Sequence, residues 1–316
     1  MQSFWEGLPK PFFIQAPMED VTDAAFRTLI ARFGKPNVMF TEFTSADGLV
    51  LAPESGKKVL LKKLLFSEGE RPIVAQLFSS IPERMEKAAM LCKELGFDGI
   101  DINMGCPDKA VEKGGAGAAL IKNAGNARAL IRAAQKSGLP VSVKTRIGYN
   151  TDELDTWLPE LLAENPVCVT IHARTRKEMS DVPAQWDTVA RSVAIRDKLG
   201  TKTLIVGNGD VKNLAEARAR VAETGCDGVM LGRAIYGNPW LYADRADPPT
   251  PQERIDALVE HIKLFDKLLG ETSNFATMKK HFKAYISGWD GAKELRVRLM
   301  DVSTAIDALA ILQVIK

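Results

Sequence analysis

The residues with the greatest capacity for chemistry stand in one short run, Asp101-Ile102-Asn103-Met104-Gly105-Cys106-Pro107. Gly99-Ile100-Asp101-Ile102 reads as a buried strand that stops at Gly105-Cys106-Pro107. Side chains alternate along a strand, so Asp101 and Asn103 share one face while Ile100 and Ile102 share the other. Cys106 then falls just past the strand's carboxyl end. Its loop runs through Lys109 and Lys113 to Gly114-Gly115-Ala116-Gly117. A thiol placed there is available for proton exchange or attack. The alternative role is that of a small buried apolar residue, and the other strand ends decide between the two.

Those ends must be set by the elements that carry them. Apolar, β-rich runs occur at Phe12–Gln15, Val38–Thr41, Ile73–Leu77, Gly99–Ile102, Val141–Lys144, Val167–Ile171, Thr203–Val206 and Gly228–Leu231. Amphipathic segments such as Glu83–Leu95 and Leu214–Glu223 lie between most of them. Eight strands alternating with helices predict an α/β fold, a (β/α)8 TIM barrel. A doubly wound open sheet is the rival, but it usually carries a Gly-rich fingerprint after its first strand, and here that strand leads into Ala16-Pro17-Met18.

Barrels gather function at the carboxyl ends of their strands. In order, those ends carry Ala16-Pro17-Met18-Glu19, Thr41-Glu42-Phe43, Gln76-Leu77-Phe78, Asn103 with Gly105-Cys106, Lys144-Thr145-Arg146, His172-Ala173-Arg174, Asn208-Gly209-Asp210 and Gly232-Arg233. Any one of these has a turn or capping role open to it. The last two follow strands seven and eight, where barrels commonly bind phosphate through glycine backbone and a helix N-terminus. A phosphorylated cofactor or substrate follows from that position.

With 316 residues, 46% hydrophobic and 26% charged, the chain has room for one large domain and a small companion. Its net charge of +2 excludes a wholesale polycation but leaves room for a local basic face. Cys92, Cys106, Cys168 and Cys226 are scattered with no Cys-x-x-Cys pair, so neither a metal site nor a disulfide framework is expected. The start, Met1 to Glu6, lacks the basic and apolar regions of a signal peptide, and no apolar run approaches a membrane span. A cytoplasmic monomer with no membrane contact and no obligate protein partner is the expectation.

After Asn238-Pro239-Trp240 the texture changes. The polar, Pro-rich stretch from Ala243 to Pro251 suits a linker, and beyond it helices are expected over Ile255–Leu269, Phe275–Ile286 and Ala292–Leu312. The chain thus divides into a barrel over 1–243 and a small helical bundle over 251–316. From Phe275 to Met300 the bundle holds Lys279, Lys280, Lys283, Lys293, Arg296 and Arg298 against Asp290 and Glu294. His281, Phe282, Tyr285 and Trp289 are interleaved. Such a mixture suits a nucleic-acid face, and equally a solvated helix over buried rings. Lys57–Leu65 is a second basic amphipathic piece that could lie on a membrane or touch RNA, and is read first as a helix with its leucines on the barrel and its lysines in water.

Taken together, the strand ends resemble the flavin-dependent tRNA-dihydrouridine synthases of bacterial type. The resemblance rests on Ala16-Pro17-Met18-Glu19-x-Val21-Thr22-Asp23, Thr41-Glu42-Phe43, Gln76-Leu77-Phe78, and Asp101 to Pro107. Gly115-Ala116-Gly117-Ala118-Ala119-Leu120, Val143 to Gly148, Ile171 to Arg176, Asn208-Gly209-Asp210 and Gly232-Arg233-Ala234 continue it in the family's order. Ser79, where a glycine is common, and a longer or more basic Gly56–Glu70 segment depart from the pattern.

The resemblance implies FMN as cofactor, NADPH as reductant and tRNA as partner, with reduction of the C5=C6 bond of one uridine. It implies that Ala16, Pro17, Met18, Gln76, Lys144, His172, Asn208, Gly209, Asp210, Gly232 and Arg233 bind the cofactor. Asn103, Arg174, Lys279, Lys280 and Lys283 would then bind substrate, and the helical tail would be the tRNA-binding domain. Cys106 would give the proton to C5, a role that requires a thiol kept protonated near neutrality. A small-molecule dihydroorotate or dihydropyrimidine oxidoreductase and a non-catalytic RNA-binding protein are the competing readings. The choice of uridine is not written in these motifs.

Overall fold

The structure, a computed structural model, describes residues 3–313. Met1, Gln2 and 314–316, the outer ends of the two expected domains, lie outside the described residues. The strands are β1 (Phe12–Gln15), β2 (Met39–Phe40), β3 (Thr44–Ser45), β4 (Ile73–Phe78), β5 (Gly99–Met104), β6 (Val141–Arg146), β7 (Cys168–His172), β8 (Leu204–Asn208) and β9 (Gly228–Leu231). All pair in parallel, in the order β1-β9-β8-β7-β6-β5-β4-β2, with β3 also on β4. A parallel bridge between Ile14 and Val38 joins β1 to the approach of β2 and closes the ring. Since β2 and β3 fill one broken position, the ring is the expected barrel of eight.

Helices α1 (Ala24–Phe33), α2 (Ala46–Leu51), α3 (Glu54–Lys63), α4 (Pro82–Glu94), α5 (Lys109–Lys113), α6 (Ala124–Gln135), α7 (Leu154–Leu162), α8 (Asp187–Leu199) and α9 (Leu214–Thr224) surround the strands. A helical tail follows: α10 (Pro251–Leu269), α11 (Lys279–Tyr285), α12 (Ala292–Asp301) and α13 (Ala305–Gln313). Among the described residues, no helix is long and apolar enough to cross a membrane.

Strand alternation explains where the core ends and the site begins. Phe12, Ile14, Phe40, Val74, Cys168, Val206 and Met230 form the apolar interior of the barrel. Two residues further along the same faces stand Gln76 after Val74, Asn208 after Val206, and His172 after Cys168 and Thr170. The inward face therefore turns from apolar to polar toward the carboxyl ends. The opposite faces (Ile73, Ile100, Ile102, Val143, Val169, Ile171 and Ile205 among them) pack under the helices in a second core.

Two helical expectations need correction. The span Ala292–Leu312 is two helices, because Val302 is extended and the Thr304 hydroxyl accepts the Asp307 backbone N–H at 3.2 Å, starting α13 afresh. In α3 no residue is fully buried. Its apolar residues spread round the helix, so the Leu60 column faces inward while Val59 and Leu61 stay exposed. Only Leu64, just past the helix, is buried.

The tail docks on the barrel through α1 and α10. Phe26 of α1 stacks on His261 at 4.9 Å, and His281 stands edge-on to both rings. Gly237, at φ +63°, lets the end of the barrel chain touch α11: a Cβ there would lie 2.5 Å from the Ala284 carbonyl carbon. Lys280 reaches back to Asp20 at 3.2 Å. His261 and His281 are fully buried, and their ring nitrogens have no hydrogen-bond partner among the described residues. Burial holds both neutral, His281 down to about 3 and His261 well below the usual histidine value.

A histidine that is neutral when folded but titrates near 6.5 when unfolded costs stability as pH falls below 6.5. His281→Phe removes one such cost. Between pH 7.5 and pH 5 its unfolding free energy, relative to the native chain, is expected to rise by about 2 kcal/mol. Urea unfolding at the two pH values measures this, and a pH-independent difference would contradict it.

Candidate active site

The mouth of the barrel holds a cavity of about 210 Å³ at the ends of β1, β6, β7, β8 and β9. Ala16, Pro17, Met18 and Met230 give it an apolar side. Lys144, His172, Arg174, Asn208, Gly209, Asp210, Gly232 and Arg233 complete the wall. Ten of the eleven residues assigned to the cofactor are therefore brought together, and Arg174 joins them. Gln76, Asn103 and Cys106 stand outside this wall, on or just beyond the neighbouring strands.

The polar groups differ in how committed they are. Arg174 is almost wholly buried with one donor on each nitrogen taken: Nε by the Val182 carbonyl at 2.6 Å, Nη1 by His172 Nε2 at 3.1 Å, and Nη2 by Asp210. Asp210 also accepts the Ala184 backbone N–H at 2.9 Å and the Arg233 guanidinium. Hydrogen bonds and the nearby guanidinium groups hold its carboxyl below the usual range. Asp210 thus orients two arginines rather than offering itself to an anion. The Asn208 amide donates to the Met230 carbonyl at 2.8 Å, and its own carbonyl accepts the Ala173 N–H at 3.0 Å.

His172 is held well below the usual histidine value by burial and by Lys144, Arg146, Arg174 and Arg233. The neutral ring accepts from Arg174 at Nε2, so Nδ1 carries the hydrogen and can donate. Lys144 has no carboxylate within salt-bridge distance among the described residues, and burial lowers it to about 8. A desolvated cation without a partner is a place for an anionic or electron-rich ligand.

Beside the cavity, β5 is in register with β6, pairing Asn103 with Lys144 and Asp101 with Ser142. Asn103 Oδ1 accepts the backbone N–H groups of Gly105 and Cys106 at 3.1 and 2.9 Å, turning the chain at the strand end. Gly117 at φ +59° clamps the loop from the other side. A Cβ there would lie 2.7 Å from the Cys106 carbonyl oxygen, which accepts the Ala118 N–H at 2.9 Å. Cys106 is half-buried, whereas Cys92, Cys168 and Cys226 are buried. Burial raises the Cys106 thiol most; the Asp108 backbone N–H lowers it while the Asp108 charge raises it, and Lys144 and Arg146 pull it down. The net direction is upward, so this sulfur keeps its proton at neutral pH.

Arg146 was not among the expected site residues. It donates from Nε to the Gly105 carbonyl at 2.8 Å and from Nη1 to those of Thr175 and Met179 at 3.0 Å, tying the Cys106 turn to the loop after β7. Its place two residues after Lys144 was the available signal. Glu112 of α5 and Arg176 form a second tie between the same loops.

In the tail, Lys279 donates to the Met300 carbonyl at 2.7 Å, Lys280 is paired with Asp20, and Lys283 is exposed. The interleaved rings are not available for stacking on bases. His281, Phe282 and Tyr285 occupy the buried face of α11, and Trp289 is partly buried against the core. Helical periodicity separates Lys279, Lys280 and Lys283 from them.

Fold and site together are those of a (β/α)8-barrel enzyme with a cation-lined mouth beside a protonated thiol. A profile of the family described as Dihydrouridine synthase (Dus) matches residues 14–316. The chain is 40% identical over 313 residues to a "Probable tRNA-dihydrouridine synthase" of Staphylococcus aureus (strain COL), covering 98% of this chain and 95% of that one. It is 39% identical to "Probable tRNA-dihydrouridine synthase 2" of Bacillus subtilis (strain 168), covering 98% and 96%. The chain belongs to the dihydrouridine synthase family. Solved structures share its fold at low identity. A morphinone reductase mutant in complex with tetrahydroNAD has TM-score 0.52 and 13% identity, covering 77% of this chain and 90% of that one. A 2-naphthoyl-CoA reductase complex has TM-score 0.54 and 14% identity, covering 73% and 49%.

Alkylation of Cys106 by iodoacetamide, followed by peptide mass spectrometry, is expected to accelerate steadily with pH. No plateau should appear below about pH 8.5, the value of a free thiol. A plateau near neutrality would mean a thiolate and would contradict the assignment.

Proposed function

We propose that this protein is a tRNA-dihydrouridine synthase that holds FMN in the barrel mouth, draws on NADPH, and reduces the C5=C6 bond of one uridine with Cys106 as proton donor. The observation that carries the reading is the pairing of a half-buried, protonated Cys106 with the unpartnered Lys144 one strand away. Family membership supports the reaction, and the relatives' names support tRNA as its substrate.

The residues present fit a flavin phosphate. Gly209 and Gly232 offer backbone, Arg233 and His172 offer donors, and Ala16, Pro17 and Met18 supply an apolar flank for a planar ring. Lys144 stands on the same wall, a cation suited to the electron-rich edge of such a ring. Gln76 keeps one amide hydrogen beyond its internal bonds and can offer it to that edge. Bound there, FMN supplies hydride chemistry, with electrons drawn from NADPH and passed to C6 of the uridine.

Hydride arriving at C6 leaves negative charge on C5 and the C4 carbonyl of the uracil. Cys106 delivers its proton to C5 and is left as thiolate, which Lys144 and Arg146 tolerate electrostatically until solvent returns the proton. Asn103, next to the thiol on the same turn, keeps one amide hydrogen beyond its internal bonds and orients the base with it. A base stacked in folded tRNA does not reach this depth, so the uridine is flipped out. The exposed basic face of α11 and α12 contacts phosphates. Such an enzyme works in the cytoplasm, where its substrate is.

Cys106→Ala is expected to retain FMN and tRNA while its uridine reduction falls by about 100-fold or more, the usual contribution of a general acid. Dihydrouridine formation in a tRNA transcript measures it, and full turnover would remove Cys106 from the mechanism. Combined Lys279→Ala and Lys283→Ala, which leave Lys280 on Asp20, should weaken tRNA binding by about tenfold at low salt and flatten its salt dependence. Unchanged affinity would refute the tail's role.

A further inference from the structure

The hydrogen bonds behind Cys106 all run in one direction, and the direction starts at a carboxylate. Asp101 Oδ1 accepts from the Ser142 hydroxyl at 2.6 Å, and Oδ2 accepts from Gln76 Nε2 at 2.7 Å. Gln76 Oε1 accepts from Asn103 Nδ2 at 3.1 Å. Asn103 Oδ1 in turn accepts the backbone N–H groups of Gly105 and Cys106. Asp101, Gln76 and Ser142 are buried and Asn103 nearly so.

An ionised carboxylate only accepts and a backbone N–H only donates. With an acceptor fixed at one end and two donors at the other, one orientation of the two amides satisfies every bond. Reversing either amide sets donor against donor or acceptor against acceptor, in a buried place where that is costly. Burial lifts Asp101 to about 6, while Lys144 and the bonds from Ser142 and Gln76 hold it down, so it is ionised at pH 7.5. Cys168 faces the same carboxylate from β7, with its thiol pushed well up.

We propose that Asp101 is a positioning residue for the reaction, its carboxylate fixing the orientation of Gln76 and Asn103 and, through Asn103, the stand of the Cys106 thiol at the barrel mouth. This rests on the reading of Cys106 as proton donor. Asp101 is buried and does not line the cavity, so it acts through its neighbours. An asparagine there can offer its own N–H₂ to Gln76, which then reverses and presents N–H to Asn103. Asn103 must turn in response, and the Gly105-Cys106 backbone loses its acceptor.

The relay makes an unusual demand on a double variant. Asp101→Asn with Gln76→Glu moves the acceptor-only group one place along and restores the orientation of Asn103. The measurement is the rate of Cys106 alkylation by iodoacetamide at pH 7.5 in the FMN-loaded protein, together with kcat and KM for tRNA. Asp101→Asn alone is expected to alkylate about tenfold faster as the turn loosens, with kcat reduced by about tenfold and KM for tRNA unchanged. The double variant is expected to return to within about threefold of the native alkylation rate, because each buried bond is again paired. Should Asp101→Asn alone not fold, recovery of a folded double variant with native-like Cys106 reactivity supports the relay. A double variant that also fails to fold contradicts it. A native alkylation rate in Asp101→Asn, or a double variant no slower than the single one, overturns the proposal. An alkylation series that behaves as expected in a protein that does not reduce uridine upholds the relay and faults the proton-donor reading instead.

Discussion

Parallel register between β5 and β6 is the constraint on which the site depends. It sets Asp101 against Ser142 and Asn103 against Lys144, each pair on the inward face where side chains alternate in step. A slip of β5 by one residue would turn Asp101 and Asn103 under the helices and bring Ile100 and Ile102 into the barrel. The apolar faces forbid that slip, since both cores are packed by the same strands. Packing outside the barrel therefore specifies chemistry inside it.

Charge is managed by burial as much as by pairing. Lys144, Arg146, Arg174 and Arg233 converge on one side of the mouth, and Asp210 answers two of them. The unanswered charge falls on Lys144, lowered to about 8 by desolvation and still a cation at neutral pH. Burial, and after it the same field, keeps His172 neutral, and its bond from Arg174 leaves it one defined donor. Beside Lys144 and Arg146, the half-buried Cys106 keeps its proton at neutral pH. A desolvated cation and a protonated thiol thus stand one strand apart, the two groups on which the proposed double-bond reduction draws.

Much of this arrangement was legible in the sequence, because barrel strands write their function at their ends. The eight barrel strand positions and the placing of Cys106 just past β5 follow from periodicity and order alone. The relay was not legible. Alternation put Asp101 and Asn103 on one face, but their connection runs through Gln76 and Ser142 on the strands to either side, and pairing across a parallel sheet leaves no local mark. Arg146 was hidden for a like reason, since its partners are carbonyls on a distant loop. In the tail, composition left open both aromatic stacking on nucleic acid and a solvated helix over buried rings. The helical period buries His281, Phe282 and Tyr285 and leaves the lysines outside.

The account stands or falls on whether this barrel mouth reduces a base within RNA. The direct measurement is mass spectrometry of nuclease fragments from an unmodified tRNA transcript incubated with the purified protein, FMN and NADPH. The account predicts that a single uridine gains two hydrogens, and that free uracil supplied in place of the transcript is not turned over. Saturation of free uracil with the transcript left untouched would contradict it.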